Sequence, residues 1–206
     1  MKNDRSFQFM RWASLAFVTG GLLMVVLWIV YTTVHGPTSF DQVRSVLGRT
    51  TLFWGMLLSA PPNLLFALGL VLLYPLLVKH GSRLARVGYA LTLLGLVVPA
   101  CIDLYIRAIG PPFFVPFVGI GLILLALGIW HNPRLQPQTI YLLMFIGIFQ
   151  IIAFALAMVP NEASDPIGGY RIYGLFAHFL PGILLVAPGE SLWKTQVPIA
   201  TEPAQN

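Results

Sequence analysis

Long apolar stretches alternate with short polar ones along the chain. Six runs of roughly 20 or more residues carry little or no charge, and each is long enough to cross about 30 Å of hydrocarbon as a helix. The pattern predicts an all-α protein, a polytopic bundle of about six transmembrane helices in one domain over residues 1–206, with a short cytoplasmic tail at 188–206. The predicted spans are 12–34, 52–78, 84–104, 112–130, 139–159 and 168–187.

Composition narrows the class of protein further. Hydrophobic residues make up 57% of the chain and charged residues only 9%, a balance outside the range of soluble globular domains. The segments between the runs are too short to hold a soluble catalytic or receptor domain, so any function lies in the membrane or at its surfaces. The compact, loop-poor design favours a bacterial cytoplasmic membrane.

Basic residues predict the orientation, because cytoplasmic loops of membrane proteins carry an excess of Lys and Arg. With the N-terminus inside, eight basic residues fall inside and four outside, which favours N-in and C-in. The inner set is Lys2, Arg5, Arg11, Lys79, Arg83, Arg86, Arg134 and Lys194, and the outer set is Arg44, Arg49, Arg107 and Arg171. These anchors account for the net charge of +5, so we expect no nucleic-acid partner.

The second run is interrupted by Pro61 and Pro62, which remove two backbone donors. Either a long helix kinks there, or a half-inserted segment precedes a span that begins at Pro62. Both alternatives leave carbonyl groups near residues 57 to 59 without their helical partners, and in lipid these need protein or water. Asn63 could bond these carbonyls or face a cavity beside them.

Two short patterns recur at offsets of 50 and 51 residues. Pro61-Pro62 recurs as Pro111-Pro112, and an HxxRL segment at residues 80–84 recurs at 131–135. They indicate a parallel duplication of a two-helix hairpin, in which spans two and three match spans four and five; coincidence among apolar segments is the alternative. The two HxxRL segments are either interfacial anchors or sites for a lipid phosphate.

The first outer loop contains a capping-box pattern, Ser39 followed by Gln42, with Phe40, Val43 and Val46 on one side. It predicts a short amphipathic helix on the membrane surface.

Polar residues inside the spans are the candidates for function, because such residues are costly in lipid and seldom persist without a partner. They are Asn63, Asp103, Arg107, Gln150 and His178. Asp103 and Arg107 are spaced to pair across one helical turn, or the pair opens to receive a proton, ion or charged substrate. Gln150, among small residues, is interpreted as an interhelical hydrogen-bonding group. His178 is either a neutral, hydrogen-bonded histidine or a relay or ligand residue.

Motifs for cofactors and metals are missing from the sequence. It has no Gly-rich phosphate loop, no HExxH and no DxxxD pair. Cys101 is the single cysteine, and no nearby thiol or histidine completes a metal site. We therefore expect no cofactor and no metal, and an enzyme using His178 and Asp103 as acid and base is the least favoured hypothesis.

Two hypotheses of function remain. The first is a protein that binds or transports a small molecule or lipid at a polar site in the outer half of the bundle. The second is a structural or accessory subunit that acts through a protein partner or a second copy of the chain. Membrane lipids are expected partners under both. Convergence of Asp103 and His178 on one cavity would favour the first hypothesis, whose predicted site consists of Asn63, Asp103, Arg107, Arg171 and His178.

Overall fold

The computed structural model of the chain describes residues 2–35, 45–46, 48–79, 81–110, 112–133, 135–158 and 172–194. Apart from one two-residue strand pair, the regular structure in these residues is helical. Four of the described helices are long and apolar enough to cross a membrane. They are Gln8–Ile29, Leu52–Leu72, Arg83–Ile106 and Pro137–Met158, and two shorter apolar helices lie at Pro112–Gly128 and Ile172–Ala187.

The complete helices extend somewhat beyond these apolar segments. In chain order the helices are α1 (Lys2–His35), α2 (Thr51–Leu72), α3 (Tyr74–Leu77), α4 (Arg83–Ile106), α5 (Val115–Gly128), α6 (Pro137–Met158) and α7 (Leu180–Lys194). A 3-10 turn at Pro112–Phe114 precedes α5, and a π-helical turn at Leu175–Phe179 leads into α7.

The second apolar run forms one helix through both of its prolines. Pro61 and Pro62 lie inside α2, so the half-inserted alternative is wrong. The helix breaks instead at Leu73, where the backbone leaves helical geometry before α3. Pro75 accounts for this break, because it lacks the N–H that would bond the carbonyl of Val71.

The first loop ends in a small hairpin. β1 (Ser45–Val46) pairs antiparallel with β2 (Arg49–Thr50), and Gly48 between them has φ +71°. The predicted amphipathic helix is therefore wrong at its last turn, since Val46 is in a strand, while residues 38–44 lie outside the described part of the chain. Thr50 then caps α2, its hydroxyl accepting a hydrogen bond from the N–H of Phe53 at 3.3 Å.

The six longer helices pack as a closed ring. α1 contacts α2 and α7, α2 contacts α4, α4 contacts α5, α5 contacts α6, and α6 contacts α7. Helices that contact each other run antiparallel, as between α1 and α2, where Gly20 lies near Leu65 and Phe17 lies near Gly69. The larger of two apolar clusters joins these helices and includes Leu70, Leu122, Leu125, Ile146 and Leu185, and the smaller one consists of Met56, Ala60 and Ala100.

The backbones of α4 and α5 approach each other unusually closely. A Cβ atom added to Gly121 would lie 2.6 Å from the backbone nitrogen of Thr92, and one added to Gly95 would lie 2.8 Å from that of Val118. Neither distance can accommodate a side chain without moving a helix. Glycine at these positions therefore permits the contact between α4 and α5.

Hydrogen bonds join the two helix connections at one end of the ring. The Ser82 hydroxyl caps α4 and donates to the carbonyl of Gly128 at 3.1 Å, and the Asn132 amide donates to the carbonyl of Leu76 at 2.9 Å. The two HxxRL segments are therefore neighbours in the structure. Their His80 and Arg134 lie outside the described residues, while Arg83 and His131 are exposed.

Candidate functional site

A polar pocket lies inside the ring, toward the end where α4 finishes and α5 begins. Its volume is about 60 Å³, and it is bounded by α2, α4, residues 109–110, the 3-10 turn at Pro112–Phe114, α5, α6 and the helix that carries the π-turn. Polar and apolar atoms contribute about equally to the surface of its wall. The polar side chains that line it are Ser59, Asn63, Asp103, Gln150, Tyr173 and His178.

Asp103 is buried in the last turn of α4, with 3% of its surface exposed. One of its carboxylate oxygens accepts a hydrogen bond from the backbone N–H of Gly110 at 2.8 Å. The predicted ion pair with Arg107 is wrong: α4 ends at Ile106, and Arg107 has φ +56° and is exposed. The pair needs a helix that continues through both residues, whereas here the chain turns away and returns Gly110 to the carboxylate.

The connection that brings Gly110 back is also bonded to α2. The backbone N–H of Ile109 donates to the carbonyl of Leu52 at 3.0 Å. Ile109 and Gly110 both line the pocket. A short backbone segment therefore forms part of the pocket wall at this end.

Asn63 lines the pocket from the middle of α2. Its amide donates to the hydroxyl of Ser59, one turn earlier, at 3.3 Å. Of the two predicted roles for Asn63, facing a cavity is the one observed. Pro61 and Pro62 still leave the carbonyls of Leu57 and Leu58 without their helical donors.

Gln150 bridges α6 to the helix that carries the π-turn. Its side-chain amide donates to the carbonyl of Ala177 at 3.0 Å, which confirms its predicted interhelical role. In a regular helix the N–H of residue 181 would bond that carbonyl. Residue 181 is proline, which has no N–H and whose ring displaces the carbonyl, so the carbonyl is available to Gln150. The helix widens into π geometry over Leu175–Phe179 at this point.

His178 lies within the π-turn, a feature that often occurs at functional sites. It is 8% exposed, and its Nδ1 atom is buried without a hydrogen-bond partner among the described residues. Its ring meets the Tyr173 ring edge-on, with the centroids 6.1 Å apart. Most buried polar atoms have a partner, so His178 is the least satisfied polar side chain of the pocket in the described part of the chain.

The structure brings together three of the five predicted site residues. Asn63, Asp103 and His178 line the pocket, Arg107 is exposed and does not line it, and Arg171 lies outside the described residues. Prediction from sequence missed Ser59 and Tyr173. Ser59 could have been found from its position four residues before Asn63, on the same face of a helix.

The pocket offers hydrogen bonds and one formal negative charge. Asp103 supplies the charge, and neither Lys nor Arg lines the pocket in the described part of the chain. No group of three or more His, Cys, Asp or Glu side chains is placed among the described residues to hold a metal ion. The pocket is therefore suited to binding a small polar molecule through oxygen and nitrogen atoms of the protein.

No protein-family model, curated protein or solved structure matches the chain.

Proposed function

We propose that the chain is an integral membrane protein that binds a small molecule in this pocket, and that transport of that molecule is its function. The observation that carries the proposal is the convergence of Asn63, Asp103 and His178, from three different helices, on one cavity. Polar groups that only hold helices together need not meet. In a membrane-embedded ring, a shared polar cavity is the usual form of a binding site.

We further propose that the chain crosses the membrane six times. The apolar helices Pro112–Gly128 and Ile172–Ala187 are short, but each occupies a place in the ring between two longer helices. Pro112–Gly128 has the roughly 17 residues that are the lower limit for a span, and Ile172–Ala187 is one residue shorter but continues as a helix to Lys194. With the N-terminus and C-terminus inside, as the basic residues favour, the pocket lies in the outer half of the bundle, and we assign the protein to a bacterial cytoplasmic membrane.

The duplicated hairpin remains a prediction with mixed support. Arg83 begins α4 and residue 134 precedes α6, so the HxxRL segments occupy similar places before a helix. The prolines do not, because Pro61 and Pro62 lie inside α2 while Pro112 begins the turn before α5.

The alternative is a structural or accessory subunit, and one observation favours it. Gln150 uses its amide to bond the neighbouring helix, as a group that serves only helix packing would. Under this alternative water alone would bond the remaining polar side chains of the pocket, and no solute would bind.

The test is the melting temperature of the detergent-purified protein against a panel of small cations, neutral amides and anions. We expect at least one solute to raise the melting temperature of the wild type and to have little effect on Asp103→Asn or His178→Ala. Thr92→Val is the matched control, because Thr92 is buried in α4 outside the pocket and bonds only within its helix, to the carbonyl of Gly88 at 2.8 Å. If no solute acts on the wild type, the accessory-subunit hypothesis is favoured.

A further inference from the structure

We infer that the ligand of the pocket is a compact monovalent cation that donates hydrogen bonds, such as ammonium or a one-carbon primary ammonium ion. This inference rests on the proposed function and specifies its ligand. It follows from the charge, the hydrogen-bonding groups and the size of the pocket.

The charge of the pocket favours a cation. Asp103 is the acidic residue of the lining, and it is buried with only the Gly110 N–H bonded to it in the described residues. Arg107, which could have neutralised it, is exposed beyond the end of α4. A buried carboxylate without a cationic partner is costly, and a bound cation would remove that cost.

The hydrogen-bonding groups favour a ligand that donates. Ser59 accepts one amide N–H of Asn63 and Ala177 accepts one of Gln150, while the amide oxygens of both side chains accept no hydrogen bond from the described residues. Pro99 also leaves the carbonyl of Gly95, another lining residue, without its helical donor. These oxygens and the carboxylate of Asp103 can all accept hydrogen bonds from a ligand that donates.

The size of the pocket limits the ligand. A volume of about 60 Å³ corresponds to roughly four to six water-sized positions at about 10–15 Å³ each. An ammonium ion is about as large as water, so it fits with accompanying waters, and methylammonium also fits. A quaternary ammonium ion or a lipid headgroup is much larger than water, and we expect it to bind more weakly in a space of this size.

The lining favours an ammonium ion over a divalent metal ion such as calcium. Calcium takes about six to eight oxygen ligands and commonly several carboxylates, whereas the described lining holds one carboxylate. Phe114 and Tyr173 add aromatic rings to the wall, and such rings attract ammonium groups.

The experiment is a melting-temperature titration of the wild-type protein at constant ionic strength. The chloride salts of ammonium, methylammonium, sodium, potassium, magnesium and tetramethylammonium are compared with formamide, a small neutral donor. We expect ammonium and methylammonium to raise the melting temperature at concentrations where the other solutes do not. Asp103→Asn should weaken the apparent affinity for ammonium by about ten- to a hundredfold, since hydrogen bonds to charged groups contribute about 1.5–3 kcal/mol, and Thr92→Val should leave it unchanged.

Three results would overturn the inference: equal effects of all monovalent cations, an ammonium effect that persists in Asp103→Asn, or no ammonium effect. The selectivity series needs only the wild type, so it decides the question even if Asp103→Asn does not fold. If formamide or an anion acts through His178 while ammonium does not, the proposed binding function stands and the cation assignment fails. If no solute acts, both fail.

Discussion

The side-chain amide of Gln150 lies 3.0 Å from the carbonyl oxygen of Ala177 and donates to it. Pro181, four residues beyond Ala177, cannot supply the N–H that a regular helix would provide. A side chain of α6 thus replaces a missing backbone donor of a neighbouring helix. The same bond holds the π-turn that carries His178 against the pocket.

Replacing Gln150 by Leu should lower the free energy of unfolding by about 1–2 kcal/mol, because the Ala177 carbonyl loses its donor inside a membrane protein. In a Pro181→Ala background the backbone N–H of residue 181 can bond that carbonyl. We therefore expect Gln150→Leu to cost about 1 kcal/mol less there. Unfolding in mixed micelles of the four proteins measures the difference. An equal cost of Gln150→Leu in both backgrounds would refute this account of the bond.

Arg107 has a left-handed backbone, φ +56°, at the end of α4. Glycine adopts this conformation without steric cost. Arg107→Gly should therefore stabilise the protein by about 0.5–1 kcal/mol, and Arg107→Ala should have a smaller effect of either sign. Melting temperatures in detergent measure both variants. A marked loss of stability in both would instead support the ion pair with Asp103 that the sequence predicts.

Gly121→Ala should lower the melting temperature clearly, by a loss of about 1–3 kcal/mol. The added methyl group would lie 2.6 Å from the backbone nitrogen of Thr92 and 2.8 Å from the carbonyl oxygen of Gly88, so α4 and α5 would have to separate. Ile120→Val is the matched control, because Ile120 is next in sequence and 47% exposed. An unchanged melting temperature in Gly121→Ala would mean that the two helices are farther apart.

Labelling of single cysteines tests the orientation. Arg49 and Lys79 are exposed basic residues that flank α2 and α3 at opposite ends. In a Cys101→Ser background, Arg49→Cys should react with a membrane-impermeant maleimide in intact cells, and Lys79→Cys should react only after the membrane is permeabilised. The reverse pattern would place the N-terminus outside and the pocket in the inner half of the bundle.

The helices were predictable because their signal is local. An apolar run of spanning length leaves the backbone no alternative in lipid but to satisfy its hydrogen bonds within a helix. The end of α4 at Ile106 was also predictable to within a turn, since the predicted span ends at 104. Nothing local, however, indicates that the Asp103 carboxylate bonds Gly110 seven residues later, and that contact changes the predicted role of Arg107.

The site was predictable in part for the same reason. Asn63, Asp103 and His178 are conspicuous because they are polar within apolar runs, whereas Tyr173 is not, since tyrosine is ordinary near a helix end in membranes. Which polar residues meet depends on the order of helices around the ring. That order is set by contacts such as those between α4 and α5, whose glycines the sequence does not distinguish from other glycines.

The ring places the first and the last of the long helices side by side, since α1 contacts α7. The α4 and α5 pair, by contrast, is joined by a few residues, so bringing its helices together costs little loop entropy. During biosynthesis this hairpin can therefore form as soon as it is inserted, while the seam between α1 and α7 must wait until the last helix leaves the ribosome. Until then the groove that becomes the pocket lacks the wall formed by Tyr173, Ala177 and His178, and we expect a nascent chain arrested before Ile172 to be the species most exposed to quality-control proteases.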